Sequence, residues 1–292
     1  MKKILVPVNF SPATENAAYY ASAMACKIGG SVELVHVLPL AVQSSLASSL
    51  RFPEYEFERL STVSQTKLSE LSINLEHKIR DSCNVQDFKP RIYGNSLLGN
   101  VIDEVGKHFD AGKMDLVVMG ITKAPSINRI IGGSTVRSAI KNCELPLLLI
   151  PESSKFRSFK KVAFASDLDT GDINYIAVLA EIMRPFQADI LIMHSKGPRE
   201  DMRQHDQKID CFLSHLTNRI DYPNIYFREV ISKSVDDGID YLLTGAQLDM
   251  LVMVHKHHNF FHGLFSGSLT KRMADHIQIP FLVFPPSHEK LI

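Results

Sequence analysis

The sequence lacks an excess of charge of either sign. Its 292 residues include 32 Lys and Arg and 32 Asp and Glu, so the formal net charge is zero. Proteins whose main partner is a nucleic acid or an anionic membrane usually carry a basic stripe or cluster. This chain has no dense run of Lys and Arg. The composition therefore predicts neither kind of partner.

Cysteine pairs and long apolar runs are also missing. The four cysteines, Cys26, Cys83, Cys143 and Cys211, form no C-x-x-C pair and lie far apart, which disfavours a disulfide framework. The apolar stretch Ile4–Val8 is too short for a signal-peptide core, and no run approaches the roughly 18 residues of a membrane helix. We therefore expect reduced thiols, no membrane partner and a cytoplasmic location.

The sequence does contain an internal repeat, which is the first pattern to look for in a chain of this length. Four apolar segments of the first half recur in the same order and at similar spacing in the second half. The pairs are Lys3–Asn9 with Lys161–Asp167, Val32–His36 with Ile190–His194, Asp115–Gly120 with Asp249–Val254, and Leu145–Ile150 with Ile279–Phe284. We predict two copies of one domain, at residues 1–152 and 158–292, separated by a short polar linker at Pro151–Arg157.

Short apolar runs that end in turn residues are typical of strands buried on both faces of a parallel sheet. Helical patterns lie between them. Ser11 is placed to cap the first helix, with Pro12 at its first position, and Asp169 occupies the equivalent capping place in the second half. Strands that alternate with helices predict βαβ units. The fold class is therefore α/β, with two tandem parallel-sheet domains.

Glycines mark a loop after the fourth strand of the first half. Gly120 stands at the carboxyl end of that strand, where open α/β sheets bind ligands, and Gly132-Gly133-Ser134-Thr135 opens an amphipathic helix. Glycine lets a backbone approach a phosphate closely, and the N–H groups of a helix N-terminus favour the anion. A plain capped helix start is the simpler explanation of Gly-Gly-Ser taken alone. Both interpretations stay open at this point.

The whole chain resembles a tandem universal stress protein, with two domains of that family in one polypeptide. The nucleotide loop of the family reads Gly, two residues, Gly, nine residues, then Gly followed by Ser or Thr. Here Gly120 fills the first place, Lys123 replaces the second glycine, and Gly133-Ser134 follows at the family's interval. The resemblance implies Rossmann-like domains of the adenine nucleotide alpha hydrolase-like kind, each with five parallel strands. It also implies ATP as ligand, accompanied by Mg²⁺ or Mn²⁺.

The resemblance further implies which residues of the first half contact the nucleotide. ATP-binding members hold adenine at the ends of the first and second strands and hold ribose and phosphates with the loop. Asn9 replaces an Asp common in such members, and its amide can still accept a hydrogen bond but carries no charge. Lys123 lacks the freedom of glycine, although its ammonium can reach a phosphate. The predicted site comprises Pro7, Val8, Asn9, Val37, Gly120, Lys123, Gly133, Ser134 and Thr135.

The second half departs further from the family pattern. Asp167 and Gly267-Ser268 are kept, but Val254 and His257 replace the first two loop glycines and Ser195 replaces Val37. We therefore predict a degenerate second site.

The second half also carries a group of histidines, His255, His257, His258 and His262. Their spacing matches no zinc pattern, so we expect them to fill or rim the vacated cleft rather than to bind a metal. His36 and His194 occupy equivalent strand positions, and we expect both to be buried and hydrogen-bonded.

These patterns predict a cytoplasmic stress-response protein that binds adenine nucleotide in its first domain. No general base or metal-binding carboxylate stands near the loop, so no catalytic residue is assigned and any ATP hydrolysis would be slow. By resemblance, Leu145–Ile150 and Ile279–Phe284 pair with each other, so that fusion makes the family dimer intramolecular. Whether the pair forms a further homodimer stays open. The rival functions are a nucleotide-free scaffold and an enzyme that hydrolyses or transfers ATP.

Overall fold

A computed structural model describes residues 3–39, 54–83, 88–110, 114–122, 133–142, 145–196, 202–231, 247–255 and 279–286. Strands alternate with helices in both halves, as the sequence predicts. The first half contains β1 (Lys3–Pro7), α1 (Pro12–Ile28), β2 (Ser31–Leu38), α2 (Glu54–Ser82), β3 (Ile92–Leu98), α3 (Val101–Asp110), β4 (Leu116–Ile121), α4 (Gly133–Asn142) and β5 (Leu147–Pro151). The second half contains β6 (Lys161–Ala165), α5 (Asp172–Met183), β7 (Asp189–Lys196), α6 (Met202–Arg219), β8 (Ile225–Ile231), β9 (Met250–Val254) and β10 (Phe281–Phe284).

The described strands form a single ten-stranded sheet in the order β3-β2-β1-β4-β5-β10-β9-β6-β7-β8. Neighbouring strands within each half are parallel, whereas β5 and β10 meet antiparallel, with Leu148 opposite Leu282. The two halves are therefore related by an approximate twofold axis at this junction. The expected pairing of the last strands is confirmed, and it joins two five-stranded parallel sheets into one.

Helix α1 lies close to the sheet because its inner face is made of small residues. Ala17, Ala18, Ala21 and Ala25 are completely buried. Ser11 caps the helix, as predicted, with its side chain accepting from the N–H of Thr14, and Pro12 stands in the first turn. The close approach brings the N-terminus of α1 to the carboxyl ends of the central strands, where the candidate site lies.

Helix α5 begins later than predicted. The residue before it is Gly171, which makes no side-chain cap hydrogen bond, so the expectation that Asp169 caps this helix is wrong. Asp169 Oδ1 instead accepts from the N–H of Gly171 at 2.7 Å and closes the turn that precedes the helix. The predicted apolar stripe is confirmed: Ile176, Leu179, Ala180 and Met183 are all buried.

The segment between the halves is packed against both of them. Asn16 of α1 donates its Nδ2 to the carbonyl oxygens of Pro151 at 3.1 Å and Ser154 at 2.8 Å. Just beyond, Phe159 is completely buried, with its ring centroid 6.2 Å from that of Tyr20 and 5.1 Å from that of Phe186. Residues from α1, the connection and the second half therefore share one apolar cluster.

The longest described helix is α2, with 29 residues, and most of its outer side chains are polar. Within the parts of the chain that the structure covers, no helix is both long enough and apolar enough to cross a bilayer.

Candidate functional site

A cavity of about 340 Å³ opens at the carboxyl ends of β1, β2 and β4. The chain leaves β1 toward β2 on one side, while β4 flanks β1 on the other. Open α/β sheets form their ligand crevice at such a switch in strand order. The cavity is lined by Pro7, Val8, Asn9, Ser11, Ala13, Thr14, Val35, His36, Val37, Val101, Met119, Gly120, Thr122, Thr135 and Val136.

The structure brings most of the predicted site residues together around this cavity. Those that line it are Pro7, Val8, Asn9, Val37, Gly120 and Thr135. Gly133 is the first residue of α4. Lys123 and the side chain of Ser134 lie outside the described residues, so their predicted roles stay predictions.

Sequence reasoning missed several lining residues. Ser11 was expected only as a helix cap and Thr14 was not singled out, yet both line the cavity because α1 begins at its rim. Their signal in the sequence was the capping pattern itself, which places short hydroxyl side chains next to the end of β1. Thr122 follows β4 in the same way. The polar lining is therefore built largely from hydroxyl groups.

Asn9 is held in one orientation by the loop between β1 and α1. Its Oδ1 accepts from the backbone N–H of Ser11 at 3.1 Å and lies 3.0 Å from the hydroxyl of Thr14. A backbone N–H can only donate, so the atom facing it is the oxygen of the amide. Phe10, the next residue, has φ of 61°, a left-handed conformation that is uncommon for a side chain of this size.

Gly120 is required by packing at the end of β4. A Cβ built on it would lie 2.5 Å from the carbonyl carbon of Ala13 and 2.9 Å from the nitrogen of Thr14, both nearer than real Cβ contacts come. The absence of a side chain lets the strand end pass against the first turn of α1. This contact explains the glycine without a ligand, and it also forms one wall of the cavity.

The second half has a different solution at the same place. Val254 corresponds to Gly120 and is buried. Asp172, which opens α5, corresponds to Thr14, so this helix begins two residues later in the repeat than α1 does. The half with the later helix start, that of α5, is therefore also the half with a valine, Val254, in place of the glycine.

His36 lies beside Asn9 in the cavity wall. Its Nδ1 is 2.8 Å from the hydroxyl of Ser64 on α2, and its ring centroid is 4.7 Å from that of Phe10. Burial, and secondarily the positive charge of Lys67, lower the pKa of His36 below its ordinary value of 6.5. The expected hydrogen bond is present, although the ring is only partly buried because one edge faces the cavity.

This lowered pKa predicts how stability depends on pH. Between the folded-state pKa and 6.5 the unfolded chain binds more protons at His36 than the folded chain does, so the free energy of unfolding falls as pH is lowered through that window. Above the window His36 contributes no pH dependence. Urea unfolding of the wild type and of His36→Gln between pH 5 and pH 8 tests this expectation. The variant is expected to lose part of the acid slope; an unchanged slope would contradict the assignment.

The equivalent region of the second half contains a polar network. Ser166 donates its hydroxyl to Oδ2 of the buried Asp172 at 2.7 Å and accepts from the N–H of Leu168 at 3.0 Å. Nδ1 of His194 lies 2.9 Å from the carbonyl oxygen of Ser166, which places this histidine in the buried role predicted for it. Ser166 corresponds to Val8, so a polar residue replaces an apolar one at the centre of the site.

A second layer comes from helix α6. The ring of His205 lies 5.3 Å from that of His194, and its Nε2 is 2.6 Å from a carboxylate oxygen of Glu229. His205 corresponds in position to Ser64 of α2, which contacts His36. The strand histidine therefore contacts a serine, Ser64, in the first half and a second histidine, His205, in the second half.

Most of the predicted histidine cluster lies outside the described residues. His255 is described, and its backbone N–H donates to the carbonyl oxygen of Phe284 at 2.8 Å. His257, His258 and His262 are not, nor is Gly267-Ser268. Within the described ranges, no group of three or more His, Cys, Asp or Glu is arranged to hold a metal ion. The degenerate state of the second nucleotide loop stays a prediction.

Comparison with known proteins supports the fold and the family. The chain is 25% identical over 154 residues to a universal stress protein of Methanocaldococcus jannaschii, covering 53% of this chain and 84% of the relative. It is 28% identical over 154 residues to universal stress protein G of Salmonella typhimurium, covering 51% and 98%.

Two solved structures match the whole chain. A universal stress protein from Archaeoglobus fulgidus aligns over 98% of both chains with a TM-score of 0.69 and 14% identity. The cytoplasmic domain of a prokaryotic cation chloride cotransporter aligns over 99% of this chain and 98% of its own, with a TM-score of 0.54 and 10% identity. At these identities the two structures support the tandem fold alone.

The family model described as "Universal stress protein family" matches residues 1–151, which include all the residues that line the cavity. The duplicated strand order and the full-length structural matches extend the same fold through the second half. The chain belongs to the universal stress protein family.

Proposed function

We propose that this protein binds an adenine nucleotide in the cavity of its first half, within a domain at residues 1–152, and acts as a stress-response protein through that binding. The observation that carries the proposal is the cavity itself. Its volume of about 340 Å³ falls within the range of roughly 300–1,000 Å³ that is usual for ligand pockets. It lies at the strand ends where this class of fold binds nucleotides.

The lining suits a nucleotide because its two sides differ in polarity. Val35, Val37 and Val101 provide apolar surface on the side of β2, which suits a flat base. On the side of β4, Thr122 and Thr135 offer hydroxyl groups next to the first turn of α4. Helix N-termini favour phosphate through their N–H groups and dipole. The base is therefore assigned to the β2 side and the phosphates to the β4 side.

The described lining contains no Asp, Glu, Lys or Arg. A Mg²⁺ or Mn²⁺ ion would accordingly be held by the phosphates of the nucleotide rather than by a protein carboxylate. We assign no general base, and we propose binding rather than turnover as the activity. We also propose a cytoplasmic location, where thiols are kept reduced.

Blocking the cavity tests the proposal. Val37→Trp places a large ring in the wall on the β2 side and is expected to weaken ATP binding by at least about tenfold, which corresponds to about 1.4 kcal/mol. The matched control is Ser195→Trp, which changes the equivalent position of the second half. Isothermal titration calorimetry with ATP and Mg²⁺ measures both variants, with thermal unfolding to verify that each is folded.

The outcomes separate this proposal from its rivals. Binding by the wild type and by Ser195→Trp, with loss in Val37→Trp, supports it. Equal loss in both variants would place the ligand elsewhere. If the wild type binds no ATP, and mass spectrometry finds no nucleotide released from the purified protein, the chain is a nucleotide-free scaffold. Steady phosphate release would favour an enzyme.

A further inference from the structure

The orientation of Asn9 determines which chemical group it offers to a ligand. Its oxygen is already used, because it accepts from the N–H of Ser11 and lies 3.0 Å from the hydroxyl of Thr14. The other polar atom of the amide, Nδ2, carries two N–H donors and no acceptor. At this position of the cavity wall the protein therefore presents a hydrogen-bond donor.

The second half has a similar turn, with the carboxylate of Asp167 at the position of the Asn9 amide. The N–H of Asp169 donates to Oδ1 of Asp167 at 3.2 Å, as the N–H of Ser11 does to Asn9. The following residues, Leu168 and Phe10, share the left-handed conformation with φ of 62° and 61°. The two turns share this hydrogen bond and the left-handed residue, so an Asn in place of an Asp exchanges a negatively charged acceptor for a neutral donor within the same local turn.

A positive charge accompanies this donor in the first half. Nζ of Lys67 lies 5.5 Å from the ring centroid of Phe10, the residue that follows Asn9 in the chain. The same ammonium helps to lower the pKa of His36. Lys208, the equivalent residue of α6, donates its Nζ to the carbonyl oxygen of Asp167 at 2.7 Å. The lysine position is thus kept near the end of the first strand in both halves.

Asn9 occupies the middle of the cavity. It follows β1, which lies between β2 and β4 in the sheet. In the proposed arrangement, with the base on the β2 side and the 5′-phosphates on the β4 side, the sugar of a bound nucleotide would lie opposite Asn9. This differs from the resemblance, which places the adenine at the ends of both the first and the second strands. In dinucleotide-binding folds a carboxylate at the sugar selects the free hydroxyls, whereas a basic group there accommodates a phosphate on the sugar.

We infer that the first half accepts an adenine nucleotide that carries a phosphate on its ribose 2′ or 3′ oxygen, and that Asn9 determines this specificity. This inference depends on the proposed nucleotide binding. Nδ2 of Asn9 donates to the sugar phosphate. Lys67, which does not line the cavity but acts electrostatically on the lining residue His36, supplies a compensating positive charge at longer range. A carboxylate in place of the amide would repel that phosphate at short range.

The test compares 5′-AMP with adenosine 2′,5′-bisphosphate and adenosine 3′,5′-bisphosphate, which differ from it only by the sugar phosphate. Calorimetry on the full chain is expected to show that one of the two, the preferred bisphosphate, binds more tightly than 5′-AMP. Asn9→Asp keeps the oxygen that accepts from Ser11, so the loop is expected to stay folded. The affinity ratio, defined as the affinity for the preferred bisphosphate divided by the affinity for 5′-AMP, should be about tenfold lower in this variant than in the wild type. Lys67→Met should lower this affinity ratio by a smaller factor.

Asp167→Asn in the second half is the matched control and should leave the ratio unchanged. If ATP and 5′-AMP bind but Asn9→Asp leaves the ratio at the wild-type value, the inference is wrong and the proposed function stands. A wild type that binds 5′-AMP more tightly than either bisphosphate leads to the same conclusion. If the wild type binds neither ATP, 5′-AMP nor a bisphosphate, the inference and the proposed function fail together.

Discussion

Gly120→Ala is expected to lower the free energy of unfolding by about 3 kcal/mol, near the upper end of the usual cost of overpacking. The reason is the contact with α1: the new Cβ would stand 2.5 Å from the carbonyl carbon of Ala13 and 2.9 Å from the nitrogen of Thr14. Both atoms belong to the backbone, so no side chain can rotate away. The first turn of α1 has to move, and the cavity wall that it forms moves with it.

Two measurements check this expectation. Urea unfolding followed by far-UV circular dichroism gives the change in stability, and calorimetry with ATP gives the loss of affinity that should accompany it. Gly106→Ala is the matched control, because Gly106 lies in α3 and a Cβ there would meet nothing within 4 Å. This control should stabilise the protein by about 0.5–1 kcal/mol through helix propensity. A Gly120→Ala protein as stable as the wild type would contradict the packing explanation.

Phe159→Ala is expected to have the largest effect on stability, about 3–5 kcal/mol, which is typical for removing a fully buried aromatic ring. Phe159 is completely buried and its ring faces those of Phe156 and Phe186, at centroid distances of 5.8 Å and 5.1 Å. The cavity left behind lies between α1, the connecting segment and the second half. Loss of this ring should therefore weaken the contact between the halves as well as the core.

Unfolding of this variant by urea should show a reduced midpoint and a broader transition, because the two halves no longer unfold as one unit. The chain contains no tryptophan, so circular dichroism and tyrosine fluorescence are the suitable probes. Phe88→Ala removes a ring that is 48% exposed and serves as the control. Its effect should stay within about 0.5 kcal/mol, as for most surface substitutions. Equal effects of the two substitutions would show that the cluster does not hold the halves together.

The two halves retain the same framework around different chemistry. Both place a histidine two residues before the end of the second strand, at His36 and His194, and a left-handed residue after the first strand, at Phe10 and Leu168. A conformation of this kind costs free energy and persists only where the surroundings enforce it. Its recurrence shows that the turn belongs to the fold, whereas the residues that face the site, such as Val8 and Ser166, have diverged.

The sequence alone predicted the repeat, four of the five strands in each half and the strand ends at which the cavity opens. The apolar runs had the length and composition of buried parallel strands, and the matched order of four pairs required two copies of one unit. Ser11 and Pro12 predicted the start of α1 correctly because capping is a local interaction between neighbours in the chain. The same local rule failed at Asp169, where a turn closed by Gly171 comes before the helix.

Only the tertiary structure decided what depends on contacts between distant residues. The sequence assigned Gly120 to phosphate binding, but the approach of Ala13, more than 100 positions away in the chain, gives that glycine a packing role. It described the connection near residue 155 as a polar linker, whereas Asn16 and the buried Phe159 tie it to both halves. It left Asn9 able to accept a hydrogen bond, and the fold committed that oxygen to Ser11 and Thr14. Local patterns fix which elements form, but packing decides which atoms remain free to meet a ligand.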